Sequence, residues 1–152
     1  MTTTLTETEL GLAAISDAPE IARLLRETRQ HSLPYLPDLH SPKEDLEFIR
    51  ETVLNECTVI VAKTGETIVG FCAYRDGWID HLYVLPKHHG KGVGTSLLAS
   101  AKHANDRLEL WVFQKNTRAI AFYERNGFAV VEKTDGSGNE EKEPDSRLYW
   151  QR

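Results

Sequence analysis

Cysteine is scarce in this 152-residue chain, with Cys57 and Cys72 the only two. Two are too few for a disulfide scaffold, and both read as reduced, small core residues. Long apolar runs are missing too. None approaches the ~20 residues of a membrane-spanning helix, so no membrane partner is expected. The opening MTTTLTETEL has no basic segment followed by an apolar one, which argues against a secretory signal and leaves the cytoplasm as the expected address. Positive charge is in deficit, with 18 Lys plus Arg against 23 Asp plus Glu, a net charge of -5 and a pI near 5.7. A general nucleic-acid binder would show a basic face, so no nucleic acid is expected as partner. Repeats and linkers are absent, and no metal ligands are assigned.

What is present is the makeup of an ordinary soluble domain, 40% apolar and 27% charged. The length suits one domain over residues 1–152. A short apolar strand is expected near 10–14. SDAPEIARLLRETRQ then opens a helix, with Ser16 or Asp17 as cap, Pro19 in the first turn and Ile21, Leu24 and Leu25 as its apolar stripe. HSLPYLPDLH breaks into turns. SPKEDLEFIRETVL reads as a second helix, capped by Ser41, opened by Pro42, with Asp45 near the capping-box position. CTVIVAKTGETIVGFCAYRDGWIDHLYVL reads as three strands with turns near 64–66 and at Asp76 and Gly77. Strict alternation on the third strand puts Trp78, Asp80, Leu82 and Val84 on one face and Ile79, His81 and Tyr83 on the other.

A helix to about His103 comes next, then the strand RLELWVF. NTRAIAFYERNG is a helix capped by Asn116 and stopped by Gly127. Two closing strands flank the acidic, turn-rich DGSGNEEKEPD. The order implies an α+β fold. Its sheet is mixed and mostly antiparallel, with helices on both faces.

The densest signal is HLYVLPKHHGKGVGTSLLASA, where Gly90, Gly92 and Gly94 separate a strand from a helix. Free amides at a helix start favour an anion, and glycine lets the backbone approach it closely. A Walker loop fails, because Leu85 stands where its first glycine belongs and Gly92 follows Lys91. A dinucleotide fingerprint fails on the G-x-G-x-G spacing.

The loop resembles the pyrophosphate loop of the GCN5-related N-acetyltransferase (GNAT) family, whose pattern is Gln or Arg, two residues, Gly, one residue, then Gly or Ala. Gly92 and Gly94 match, and His89 stands where Gln or Arg is usual. NTRAIAFYERNGF resembles the family's N-x-x-A-x-x-F-Y-x-x-x-G-F helix, and the element order matches over nearly the whole chain.

The resemblance implies acetyl-CoA as cosubstrate. It puts Leu82, Tyr83 and Val84 along the pantetheine arm. Its pyrophosphate would meet the amides of Gly90, Lys91, Gly92, Val93, Gly94 and Thr95. His89 is left to donate to phosphate or to cap the turn, and Asn116 contacts the pantetheine. It implies that Tyr123 protonates the departing thiolate. For the base that deprotonates the amine, Asp80 leads, with His81, Glu109 and solvent as alternatives. Tyr35, Leu36 and His40 would wall the acceptor. Glu140, Glu141, Glu143 and Asp145 would attract a cationic small-molecule amine, or form only a solvated acidic loop. The expected activity is direct N-acetyl transfer to a small amine or amino-acid-like acceptor. The rivals are a protein or peptide N-terminal acetyltransferase, a CoA-binding sensor and a binder of another phosphate ligand. Monomer and homodimer both stay open.

Overall fold

The computed structural model describes residues 8–152. Residues 1–7, part of the stretch read for a secretory signal, lie outside the described residues. Strand β1 (Thr8–Leu12) leads through a 3-10 turn (Ile15–Asp17) into α1 (Ala18–Ser32). Asp17 closes that turn by accepting from the Ala14 N–H at 2.8 Å. The expected stripe of Ile21, Leu24 and Leu25 is buried, extended by Thr28.

Helix α2 (Pro42–Phe48) starts at a reciprocal capping box. The Glu44 N–H donates to the Ser41 hydroxyl at 3.1 Å, and the Ser41 N–H donates to the Glu44 carboxylate at 3.0 Å. Asp45, nearest the box in the sequence reading, instead accepts from Arg26 at 2.6 Å and ties α2 to α1. The helix continues as a π-helical turn (Ile49–Val53) and ends in α3 (Leu54–Glu56).

Strands β2 (Thr58–Thr64), β3 (Thr67–Arg75) and β4 (Trp78–Val84) form the expected antiparallel meander. Helix α4 (Val93–Ala104), strand β5 (Arg107–Phe113), helix α5 (Thr117–Arg125) and strands β6 (Ala129–Lys133) and β7 (Asp145–Gln151) complete the chain. The sheet has seven strands in the order β1-β2-β3-β4-β5-β7-β6. Among the described residues its only parallel pair is β4 with β5.

Each face of the sheet carries its own core. Phe71, Val59, Val61 and Ile68 pack with Ile21, Leu24, Leu25 and Ile49 of the first helices. Cys72, Leu108, Leu110 and Leu148 pack with Leu97 and Leu98 of α4 and with Tyr123. Each such buried side chain contributes about 1.5–3 kcal/mol of transfer free energy.

Two irregularities of β4 set the geometry at the middle of the sheet. Its pairing with β3 jumps from Ala73↔His81 to Tyr74↔Ile79, so Asp80 is the extra residue of a β-bulge. The bulge breaks the alternation that the sequence suggested. Ile79 joins the α4-side core, to which Leu82 and Val84 also belong, while His81 faces Phe71 and Phe48 on the α1 side. The second irregularity is the β4–β5 ladder, which is a single pair, Trp78↔Glu109. Beyond it the strands part and leave one edge of β4 unpaired.

Candidate active site

Where β4 and β5 part, a cleft of about 400 Å³ opens between the strands, the start of α4 and one side of α5. Leu82, Tyr83 and Val84 line it from the strand. The chain then leaves β4 through a 3-10 turn (Pro86–His88) and reaches the glycines. Gly90 and Gly92 take φ of +76° and +82°, a region where a side chain is strained.

Gly92 is the N-cap of α4 and has no side chain to cap with. The first helical bond comes from the Ser96 N–H to the Gly92 carbonyl at 3.0 Å. The amides of Val93, Gly94 and Thr95 therefore have no partner within the helix. An uncapped helix start reached through an open glycine turn fits a pyrophosphate. A Cβ built on Gly90 or Gly92 would meet no protein atom within 4 Å, so the space beside both glycines is open.

Helix α5 supplies the opposite wall. Asn116 caps it, accepting from the Ala119 N–H at 3.3 Å, and also lines the cleft. Phe122 and Tyr123 line it from the next turn. The Tyr123 ring is only 7% exposed. Burial, with lesser contributions from Cys72 and Tyr83, pushes its phenol well above the ordinary value. Tyr123 is a protonated donor at every physiological pH.

The structure thus brings Leu82, Tyr83, Val84, His89, Gly90, Gly92, Val93, Gly94, Thr95, Asn116 and Tyr123 around one cleft. Val93 points its side chain into the core and offers only its amide. Lys91 is exposed and outside the lining.

Asp80 departs from expectation and does not line the cleft. On the bulge, its carboxylate accepts from Arg75 Nε at 2.8 Å and from the Cys57 thiol at 3.5 Å. A carboxylate held by a guanidinium in partly exposed surroundings is poorly placed to deprotonate an amine. Asp80→Asn is expected to leave turnover unchanged and to cost no more than about 1 kcal/mol of stability. Thermal melts and rates across pH check this. A loss of rate that shrinks at high pH would restore the base role.

The other base candidates are no better placed. Burial pushes the His81 imidazole down to about 4, against the charge of Asp80 and helped by that of Arg29. Glu109 is paired with Arg147 at 2.5 Å.

The sequence reading missed Arg118 and Arg125, both in the cleft lining. Arg118 had a legible signal, because a cation in the first turn of a helix opposes the macrodipole. Among the described residues no carboxylate lines this cleft, although the chain is net acidic.

On the other face a second cavity, of about 610 Å³, lies against β5 and the β6–β7 loop. Trp111 and Phe113 form its apolar side, and Glu141 and Asp145 its charged side. The loop is more than a solvated acidic segment. Glu141 pairs with Arg29 at 3.2 Å, Glu143 with Lys115 at 3.1 Å and Glu140 with His40 Nε2 at 2.8 Å. Two of these pairs strap the loop to α1 and to the α1–α2 connection.

The His40 imidazole is opposed by burial, yet Glu140 and Glu44 outweigh it and raise its pKa. A raised pKa means that the strap is complete below the ordinary histidine value of ~6.5 and is lost as pH rises through the folded value. Hydrogen exchange, corrected for its intrinsic pH dependence, is expected to show loop amides losing protection over that rise. His40→Ala should abolish the step.

With this geometry in place, comparison with known proteins is decisive about the class. Residues 23–128 match the model of the acetyltransferase (GNAT) family. The chain belongs to that family and is an acetyltransferase whose cosubstrate is acetyl-CoA. It is 26% identical over 118 residues to the peptidyl-lysine N-acetyltransferase YiaC of Escherichia coli, covering 77% of this chain and 80% of that one. It is 28% identical over 128 residues to the spermine/spermidine N(1)-acetyltransferase of Bacillus subtilis, covering 66% and 84%. In fold it is similar to PaiA N-acetyltransferase from Thermoplasma acidophilum in complex with coenzyme A. There the TM-score is 0.77 at 22% identity, with 96% of this chain and 99% of that one covered.

Proposed function

We propose that this acetyltransferase passes the acetyl group directly, in a ternary complex, to a small cationic amine or amino-acid-like acceptor. The observation that carries the reading is a division of charge across the sheet. Among the described residues, the cleft at the glycine loop has arginines and no carboxylate in its lining, whereas the cavity on the other face is lined by Asp145 and by Glu141, which Arg29 shares. A CoA polyanion suits the first and an alkylammonium the second.

In this reading the pantetheine arm lies along Leu82, Tyr83 and Val84, and Asn116 meets it from α5. The amides from Gly90 to Thr95 hold the pyrophosphate. Amides of the parted β4 edge polarise the thioester carbonyl and hold the oxyanion that forms on attack. Tyr123 gives its proton to the departing thiolate. The buried phenol is the weaker acid of the pair, so it first stabilises the departing thiolate as a hydrogen-bond donor, and reprotonation of the tyrosine from solvent completes the transfer.

No acyl-enzyme is involved. Burial pushes the Cys72 thiol up to about 12 and the partly exposed Cys57 thiol up to about 11, so neither is a ready nucleophile. The proton of the ammonium goes to solvent before attack.

A small acceptor is favoured over an extended chain because the strapped loop joins both banks of the acceptor side. The test is release of free thiol from acetyl-CoA with a panel of polyamines, amino acids and lysine-containing peptides. Saturable release with one small amine supports the reading. Release only with peptides would move the acceptor to protein, and CoA binding without turnover on any amine would make the chain a sensor.

A further inference from the structure

The glycine-loop amides are neutral, yet a pyrophosphate brings two negative charges into the cleft. His89 directly precedes the first of these glycines, and its ring is already committed. Its Nε2 lies 2.8 Å from the Val84 carbonyl oxygen. A carbonyl only accepts, so Nε2 carries the proton and donates. Burial, aided by the charges of Arg118 and His31, outweighs the Val84 bond and keeps the imidazole neutral. What remains on the ring is the Nδ1 lone pair, which repels phosphate oxygen. His89 therefore pins the turn to the end of β4 and offers the anion nothing. Lys91 lies outside the lining.

Two guanidinium groups do line the cleft. Arg125 sits in the last turn of α5, where the macrodipole itself favours a cation. It lies seven residues along the helix from Arg118, or about 10 Å at the α-helical rise, away from the turn. Arg118 is in the first turn, two residues after the Asn116 cap, and its charge is felt at His89. It is exposed and has no carboxylate partner among the described residues. A cation held against the dipole, unpaired and at the rim of an anion site, has one evident use.

We propose that Arg118 is the cation that neutralises the pyrophosphate of CoA, facing the α4 amides across the cleft while His89 only positions the turn. The inference rests on the acetyl-CoA reading of this cleft. It assigns the anion site to two helices, with amide dipoles from α4 and a guanidinium from α5. A planar guanidinium meets two phosphate oxygens at once, so lysine is a partial substitute.

Calorimetry with CoA and with dephospho-CoA, which lacks the 3′-phosphate, tests it. Arg118→Ala is expected to weaken both ligands by the same factor, about tenfold or more. Arg118→Lys should recover part of the loss, and the salt dependence of binding should flatten in the Ala variant. His89→Arg in the Ala background should restore affinity by placing a guanidinium on the opposite side. Parent-like CoA affinity in Arg118→Ala would overturn the inference and leave the cofactor reading intact. A loss confined to CoA and absent with dephospho-CoA would also overturn it, since the contact would then be to the 3′-phosphate. A parent protein that binds neither ligand would overturn the cofactor reading itself.

Discussion

Gly92→Glu abolishes CoA binding while the fold survives; this is the largest effect expected of any single substitution in the chain. Gly92 holds φ at +82° with open space where its Cβ would be, so a side chain there extends freely beside the uncapped start of α4. Placed there, a carboxylate opposes the pyrophosphate and blocks the free amides of α4. The expected loss is about 100-fold or more, the scale of removing a charge-assisted site and adding repulsion. Strain adds a smaller penalty, about 1–2 kcal/mol of stability for a side chain in the left-handed region. Gly92→Ala carries that strain without the charge and separates the two. Calorimetry with CoA and a thermal melt of both variants make the check. Undiminished binding by Gly92→Glu would remove the pyrophosphate from this loop.

Tyr123→Phe is expected to cut turnover by about 10–10³-fold while leaving CoA affinity nearly unchanged. The ring stays and keeps its edge-on contacts with Phe122 and Phe128, whose centroids lie 5.2 and 5.4 Å away. Only the proton is lost. The raised phenol predicts that the parent shows no alkaline loss of rate from this residue across the accessible range. The check is the pH profile of kcat beside single-turnover rates. A variant as fast as its parent would make Tyr123 a packing residue.

Much of the fold is legible in the chain because its signals are local. Ser41 announces α2 through a hydroxyl within reach of an amide three residues on. Asn116 announces α5 in the same way, and Gly127, at φ +91°, ends it. Two-residue turns between apolar runs bound the meander, and the glycines after β4 mark an anion-competent helix start. Each is decided within one turn of chain, so spacing alone reveals it.

The site is legible where it is made of backbone and illegible where it depends on a distant partner. The bulge at Asp80 is a mismatch of register between β3 and β4, and strict alternation along β4 cannot show it. That mismatch, with Arg75 beside it, takes Asp80 out of the cleft and sends Ile79 into the α4-side core. His89 is a phosphate candidate in the sequence, and the fold brings the Val84 carbonyl to its ring instead. Arg118 joins the site only because α5 folds back against the glycine turn. The acidic loop has the composition of a solvated segment, yet Arg29 and His40, from the far end of the chain, close on it. The elements, the glycine loop and the tyrosine of α5 are written in the order of residues, because hydrophobic period, caps and backbone freedom act over a few positions. Which charges meet was left to the tertiary structure, because an ion pair or a strand register depends on groups that only the completed fold brings together.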